Sequence, residues 1–402
     1  MSPLASGRSA IGAVLGAQFF TSLADNALLI VAIGLLLERA APAWMTPALR
    51  NCLYVSYVAL APYAGVLADA FPKGRVMLLA NAVKLGACLL LAAGLHPLMA
   101  FGAIGVIGVS YGPAKYGILA ELVPPAELIK ANAWIEMSTV AAIIGGTALG
   151  GLLLAPAFAI GPHSATLAIV AMYSVSVLFA AAIPTGAASR FEIGVRAAGF
   201  RRAFAMLWRD PEGRISLAVT SLFWAVAAAL QFLVIQWAGT VLGLALSGSV
   251  LLQCFLAVGM VAGSAGVARY VSAARAMAVL PMGVALGAAI LAMTLVSSLW
   301  LACAMLFLTG IVAGIVLVPM NTLLQQRGAA LMAPGVSIAV QSFNENLASL
   351  VCLAAYGALL VLDAPVRAIL ASFGVLVIAL VLLIMRWHRA GARASGLAGQ
   401  RS

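Results

Sequence analysis

Asp25, Lys84, Lys115, Glu136 and Glu345 are ionisable residues set well inside apolar runs. A charge at membrane depth costs about 3 kcal/mol or more unless it faces water, a partner or a cargo, so such residues mark candidate pathways for an ionic solute or for protons. Gln18, Ser22, Asp25 and Asn26 recur at helical spacing, as do Ser337, Gln341 and Glu345, and each set reads as one stripe on its helix. Lys115 and Glu136 flank a turn containing Pro124 and Pro125. Each lies about six residues into its helix, so both stand ~9 Å above the turn, at one depth on consecutive helices. Facing a cavity, these side chains could contact an ionic solute. A plain ion pair between Lys115 and Glu136, or a helix–helix hydrogen bond at Asp25, would satisfy the same charges with no solute.

Other chemistries lack their residues. None of the four lysines is followed by Ser or Thr, so no loop of the Gly-x-x-x-x-Gly-Lys-Ser/Thr type cradles a nucleotide phosphate. His96, His163 and His388 sit at the ends of apolar runs, without an acidic partner at acyltransferase spacing. The five cysteines fall singly in apolar runs and read as small hydrophobes. No enzyme activity, metal or cofactor is expected.

The elements that must position the charges are membrane helices. Of 402 residues, 64% are hydrophobic and 8% charged, which excludes a water-soluble globule. Apolar runs near residues 11–37, 49–69, 75–95, 98–122, 131–154, 164–183, 214–238, 248–269, 275–296, 299–325, 336–360 and 365–387 predict twelve crossings of ~20 residues or more. The first is too long for a signal peptide and contains Asp25. With the N-terminus inside, 17 of the 22 Lys/Arg fall in cytoplasmic segments, so both termini are expected in the cytoplasm. The net charge of +11 then reflects topology and lipid contact; nucleic acid is not an expected partner.

The chain divides by composition into an N-terminal six-helix bundle (1–183), a Pro/Gly/Ser/Arg linker (184–213), a C-terminal six-helix bundle (214–387) and a basic tail (388–402). Within the linker, Phe200 to Trp208 reads as an amphipathic helix on the membrane surface. The halves echo each other: Pro113-Ala-Lys115 returns as Pro319-Met-Asn321, and Glu136 matches Gln341 at an offset of about 205 residues, an internal repeat typical of two-bundle transporters. The first half carries the ions and the second mostly amides, Gln231, Gln236, Gln253, Asn321, Gln325 and Gln341. Gly146-x-x-x-Gly150, Gly259-x-x-x-Gly263 and Gly310-x-x-x-Gly314 predict close helix approach. Lys84 lies where interior pairing and snorkelling to the interface are equally open.

The loop Gly65-Val-Leu-Ala-Asp69, followed by Lys73-Gly-Arg75, resembles the signature of the major facilitator superfamily, with one extra residue before Gly-Arg. Asp25-Asn26, Pro113-Ala-Lys-Tyr116-Gly, Lys130-Ala-Asn, Ser221-Leu-Phe-Trp, Val318-Pro-Met-Asn, Leu323-Leu-Gln-Gln-Arg-Gly and Glu345-Asn346, in this order, resemble the bacterial lysophospholipid transporters of that superfamily from about Gln18 to Trp387. The resemblance implies an all-α membrane fold of twelve helices in two bundles in the bacterial inner membrane; a monomer is expected. It implies inward movement of 2-acyl-glycerophosphoethanolamine and related lysolipids by alternating access, for reacylation by a cytoplasmic acyltransferase/acyl-carrier-protein synthetase. Asp69, Lys73 and Arg75 would then gate; anchoring of the loop by its basic residues would account for Lys73 and Arg75 equally. Relatives carry an arginine in the seventh span where this chain has Gln231, so a charge pair between that position and Asp25 is not carried over. Joined with the buried charges, Lys115 meets the phosphate and Asp25 or Glu136 the ammonium. Asn26, Gln341 and Asn346 bind the glycerol, and Tyr116 and Glu345 complete the candidate site. A polyspecific drug or small-metabolite carrier would share the fold. A non-transporting scaffold for lipid enzymes would need no buried ions on separate helices.

Overall fold

The sequence folds into thirteen α-helices joined by short connections, as the computed structural model of the chain describes for residues 3–123, 125–155, 161–184, 193–270, 273–332 and 334–399. Side chains are described except at 3–9, 64–70, 116–117, 120–121, 125–133, 136–137, 140, 193–198, 268–270, 273–275, 329, 334–335 and 390–399. The first six helices are α1 (Pro3–Glu38), α2 (Met45–Ala70), α3 (Lys73–Ala92), α4 (Pro97–Leu122), α5 (Pro125–Leu153) and α6 (Pro162–Ala181). After α7 (Ile193–Arg209) come α8 (Pro211–Leu242), α9 (Leu246–Tyr270), α10 (Leu280–Ala292), α11 (Leu299–Leu331), α12 (Pro334–Val361) and α13 (Val366–Gly399). Among the described residues ten helices are long and apolar enough to cross a membrane. Of the expected spans, the remaining two are α2 and α5, 26 and 29 residues long.

Local chemistry sets the boundaries. Proline at the first turn opens α4, α6 and α8, where its missing N–H costs nothing. Asp210 caps α8 by accepting from the Gly213 N–H at 2.7 Å, and Ser298 caps α11 through the Leu301 N–H. Gly243 closes α8 in the left-handed conformation, φ +66°. The ninth expected span, 275–296, departs from a single α-helix: Ala273–Val279 winds as 3-10 helix ahead of α10. Pro281 has no N–H to extend the α-ladder backward and crowds the turn before it, which favours the tighter winding.

The chain forms two compact units, Met1–Ala197 with Leu246–Leu251, and Ala198–Ala245 with Leu252–Ser402. In the first, α1, α3, α4 and α6 share a core that includes Val14, Met77, Ala114, Ile118 and Ile183. Helix α1 lies against α5 so closely that a Cβ at Gly146 would run into the Leu23 carbonyl, and one at Gly150 would stand 3.0 Å from the Ala27 carbonyl. In the second, α8, α10, α11 and α13 share a core built on Val219, Leu280, Met320 and Ile384. There Gly259 and Gly263 of α9 face Gly310 and Gly314 of α11 across backbone contact: a Cβ at Gly259 would strike the Phe307 carbonyl, and one at Gly310 the Leu256 carbonyl. The three small-residue motifs therefore do pack helices together.

Candidate functional site

A ladder of polar groups crosses the apolar interior of the first unit. On α1, Thr21 and Asp25 are one turn apart; on α3, Asn81 and Lys84; on α6, Ser176 and Tyr173. The Thr21 hydroxyl donates to Asn81 Oδ1 at 2.8 Å and shares a short hydrogen bond with Ser176. One turn on, Lys84 Nζ donates to Asp25 Oδ2 at 2.6 Å and the Tyr173 hydroxyl donates to Asp25 Oδ1 at 2.6 Å. Helical periodicity brings the rungs together, because i, i+3 and i, i+4 positions share a face. Both oxygens of one carboxylate are thus held, by an ammonium from α3 and a phenol from α6. The pair is asymmetric: the Lys84 side chain is 6% exposed and that of Asp25 34%. Lys84 Nζ also lies 5.4 Å from the centre of the Tyr111 ring, within range of a cation–π contact.

This corrects the single stripe expected on α1. Gln18 donates to Ser22 and to Thr139 of α5, while Asp25 belongs with Thr21 on the face toward α3 and α6. Two polar stripes run along α1, and the sequence spacing merged them. Asn26 is buried, with its amide donating to the Ser22 carbonyl at 2.8 Å. Lys84 pairs in the interior rather than snorkelling. Lys115 is buried in α4 and has interactions there. Tyr116, Glu136 and Asp69 lie outside the described side chains, so the pairing of Lys115 with Glu136 and the latch from Asp69 to Arg75 do too. Lys73, half-buried and engaged, and Arg75, exposed, open α3.

The second unit holds an amide-rich counterpart. Gln341 of α12 donates through Nε2 to Asn321 Oδ1 of α11 at 2.7 Å and to Glu345 Oε1 at 2.8 Å. Asn321 and Gln341 occupy the places that the repeat matches to Lys115 and Glu136, so an amide pair stands where the first unit has a lysine and a glutamate. The Ser337, Gln341, Glu345 stripe holds for its last two members. The Asn346 amide donates to the Ser342 carbonyl at 2.7 Å. Elsewhere Tyr356 donates to Gln236 at 2.7 Å and Gln253 to the Gln231 carbonyl at 2.7 Å, tying α12 and α9 to α8.

At the entry to α8, Arg327 holds Asp210 through both carboxylate oxygens, one of them at 3.0 Å, and reaches Glu212 at 3.5 Å. Burial works against the Asp210 charge, but hydrogen bonds from Arg327 and from the Gly213 backbone outweigh it and hold the carboxyl below the usual carboxylate range. Beside it α7 seats its apolar face: Ala203 and Leu207 pack with Leu217, Leu324 and Val340, and Phe200 and Phe204 meet the Phe343 ring edge-on. Trp208 Nε1 donates to Asn344 Oδ1 at 3.2 Å. The amphipathic segment read as a surface helix thus spends its apolar face on α8, α11 and α12.

Residues 14–353 match the family model of the Major Facilitator Superfamily. The chain is 39% identical over 363 residues to the lysophospholipid transporter LplT of Yersinia pestis (strain Pestoides F), covering 89% of this chain and 88% of that one. The same values hold for the namesake of Yersinia pseudotuberculosis serotype O:3 (strain YPIII). Among solved structures, a point mutant of the nucleoside transporter NupG superposes with TM-score 0.72 at 12% identity, covering 94% of this chain and 99% of that one. A bacterial homologue of the human lysosomal transporter Spinster, inward-facing and unoccupied, superposes with TM-score 0.69 at 14% identity, covering 96% and 98%. At such identities these two speak for the fold alone.

Proposed function

The chain belongs to the major facilitator superfamily, and from that premise we propose that it moves lysophospholipids inward across the inner membrane of a diderm bacterium by alternating access. The observation that carries the reading is similarity to lysophospholipid transporters along nearly the whole chain, with fixed charges inside the helices of one unit. A lysophospholipid joins an ionic head to one acyl chain. A carrier must therefore solvate a phosphate, and an ammonium where there is one, while leaving the tail in apolar surroundings. Lys115, with Tyr116 beside it, meets the phosphate; Asp25 and Glu136 receive the ammonium of 2-acyl-glycerophosphoethanolamine. Asn26, Gln341, Glu345 and Asn346 supply hydrogen bonds to the glycerol. The second unit, with amides where the first has ions, suits the uncharged remainder of the cargo. Asp69, Lys73 and Arg75 gate. The distribution of Lys and Arg supports both termini in the cytoplasm, where a reacylating acyltransferase/acyl-carrier-protein synthetase takes the product.

Purified protein in vesicles, given labelled lysophosphatidylethanolamine, tests this. Movement of the label to the far leaflet, unaffected by unrelated metabolites or drugs and persisting after the proton gradient is collapsed, is the expected result. Absence of movement, or equal competition by unrelated solutes, contradicts it.

A further inference from the structure

We propose that Lys84 is a specificity-determining residue: an internal stand-in for a substrate's ammonium, which neutralises Asp25 when the head group carries no cation and yields the carboxylate when it does. The inference rests on the lysophospholipid reading above and adds to it a residue and a selectivity.

The exposures give the order of events. Asp25 is one-third exposed and Lys84 almost fully buried, so a solute meets the carboxylate first and the ammonium stays behind it. Tyr173 holds Oδ1 independently, so Asp25 keeps its place when Oδ2 changes partner. A primary ammonium on the substrate is chemically the same group as Lys84 Nζ and makes the same charge-assisted hydrogen bond. Once displaced, Lys84 has somewhere to go. It lies against the face of the Tyr111 ring, 5.4 Å from its centre, which holds a cation that has lost its carboxylate. A head bearing glycerol in place of ethanolamine brings only the phosphate. An uncompensated Asp25 would repel it, but paired with Lys84 the site is neutral and admits it. One carboxylate can in this way serve heads of two different charges.

The test compares uptake of lysophosphatidylethanolamine and lysophosphatidylglycerol by vesicles containing the wild-type protein, Lys84→Met and Lys84→Arg. With the competitor removed, Lys84→Met should show apparent affinity for the ethanolamine lipid raised by about tenfold, a lowered maximal rate because release is slowed, and uptake of the glycerol lipid reduced by about tenfold. Lys84→Arg should restore uptake of the glycerol lipid. A merely structural lysine would instead lower uptake of both lipids in proportion to folded protein, and an unchanged ratio in Lys84→Met overturns the proposal. Should Lys84→Met not yield folded protein, Lys84→Gln carries the same predictions and the same refutation. If the wild-type protein carries neither lipid, the underlying function fails, and this inference with it; that failure is recognisable because it precedes any variant.

Discussion

Lys84 Nζ and Asp25 Oδ2 stand 2.6 Å apart, on α3 and α1, with the ammonium buried and the carboxylate partly open. Removing one member of a buried pair strands the other, at a cost of about 3–5 kcal/mol, whereas removing both can be nearly neutral. Asp25→Ala should therefore lower the melting temperature of the purified protein most, because it leaves the more buried charge alone. Lys84→Met should cost less, since its orphan still has Tyr173 and solvent, and the double variant should recover much of the loss. Additive losses would mean that the two residues do not act as a pair.

Gly259 and Gly310 hold α9 and α11 at backbone contact. Valine at either should cost about 1–3 kcal/mol through overpacking, read as a lower melting temperature. Gly266, one turn beyond Gly263, has nothing within 4 Å of an added Cβ and serves as the control: Gly266→Val should melt close to the wild type.

Asp210 offers a prediction in pH. Its carboxyl is held below the ordinary value, so the ionised form contributes stability that is complete above the unfolded-state pKa of about 3.9 and is lost as pH falls through the depressed folded value. Asp210→Asn keeps the helix cap but not the charge facing Arg327. The melting gap between wild type and Asp210→Asn should be full at pH 7 and shrink as pH falls below the ordinary carboxylate range; a gap independent of pH would refute the ionic account.

Helix α7 should be as protected from amide exchange as the helices it rests on. Trp208→Ala removes the hydrogen bond to Asn344 and part of the apolar contact, and should cost about 2 kcal/mol locally. Faster exchange confined to α7 is expected; a helix already unprotected in the wild type would contradict its docking.

The twelve apolar runs are readable because membrane helices need long uninterrupted hydrophobicity, and the observed elements keep to them except where α1, α5, α11 and α13 run further at one end. The repeat was readable from Pro113-x-Lys115 against Pro319-x-Asn321, though that Asn321 bonds Gln341 needed coordinates. The partners of Asp25 were not readable. Lys84 and Tyr173 are 59 and 148 residues away, and on helices apolar nearly all round no periodicity reports which face meets which neighbour. For the same reason the sequence does not show that Thr21 stands with Asp25, one turn away, while Gln18 stands with Ser22, so that the polar residues split into two stripes. Amphipathicity in α7 identified an apolar face correctly, but it cannot distinguish lipid from α8, α11 and α12 as the surface that covers it.

Buried ions of the first unit receiving a lysophospholipid head is the central claim, and uptake of labelled lysophosphatidylethanolamine by vesicles holding equal amounts of wild-type and Lys115→Ala protein tests it most directly. The account predicts uptake by the wild type and none by Lys115→Ala, with the variant matching it in yield and topology; normal uptake by that variant would contradict the account.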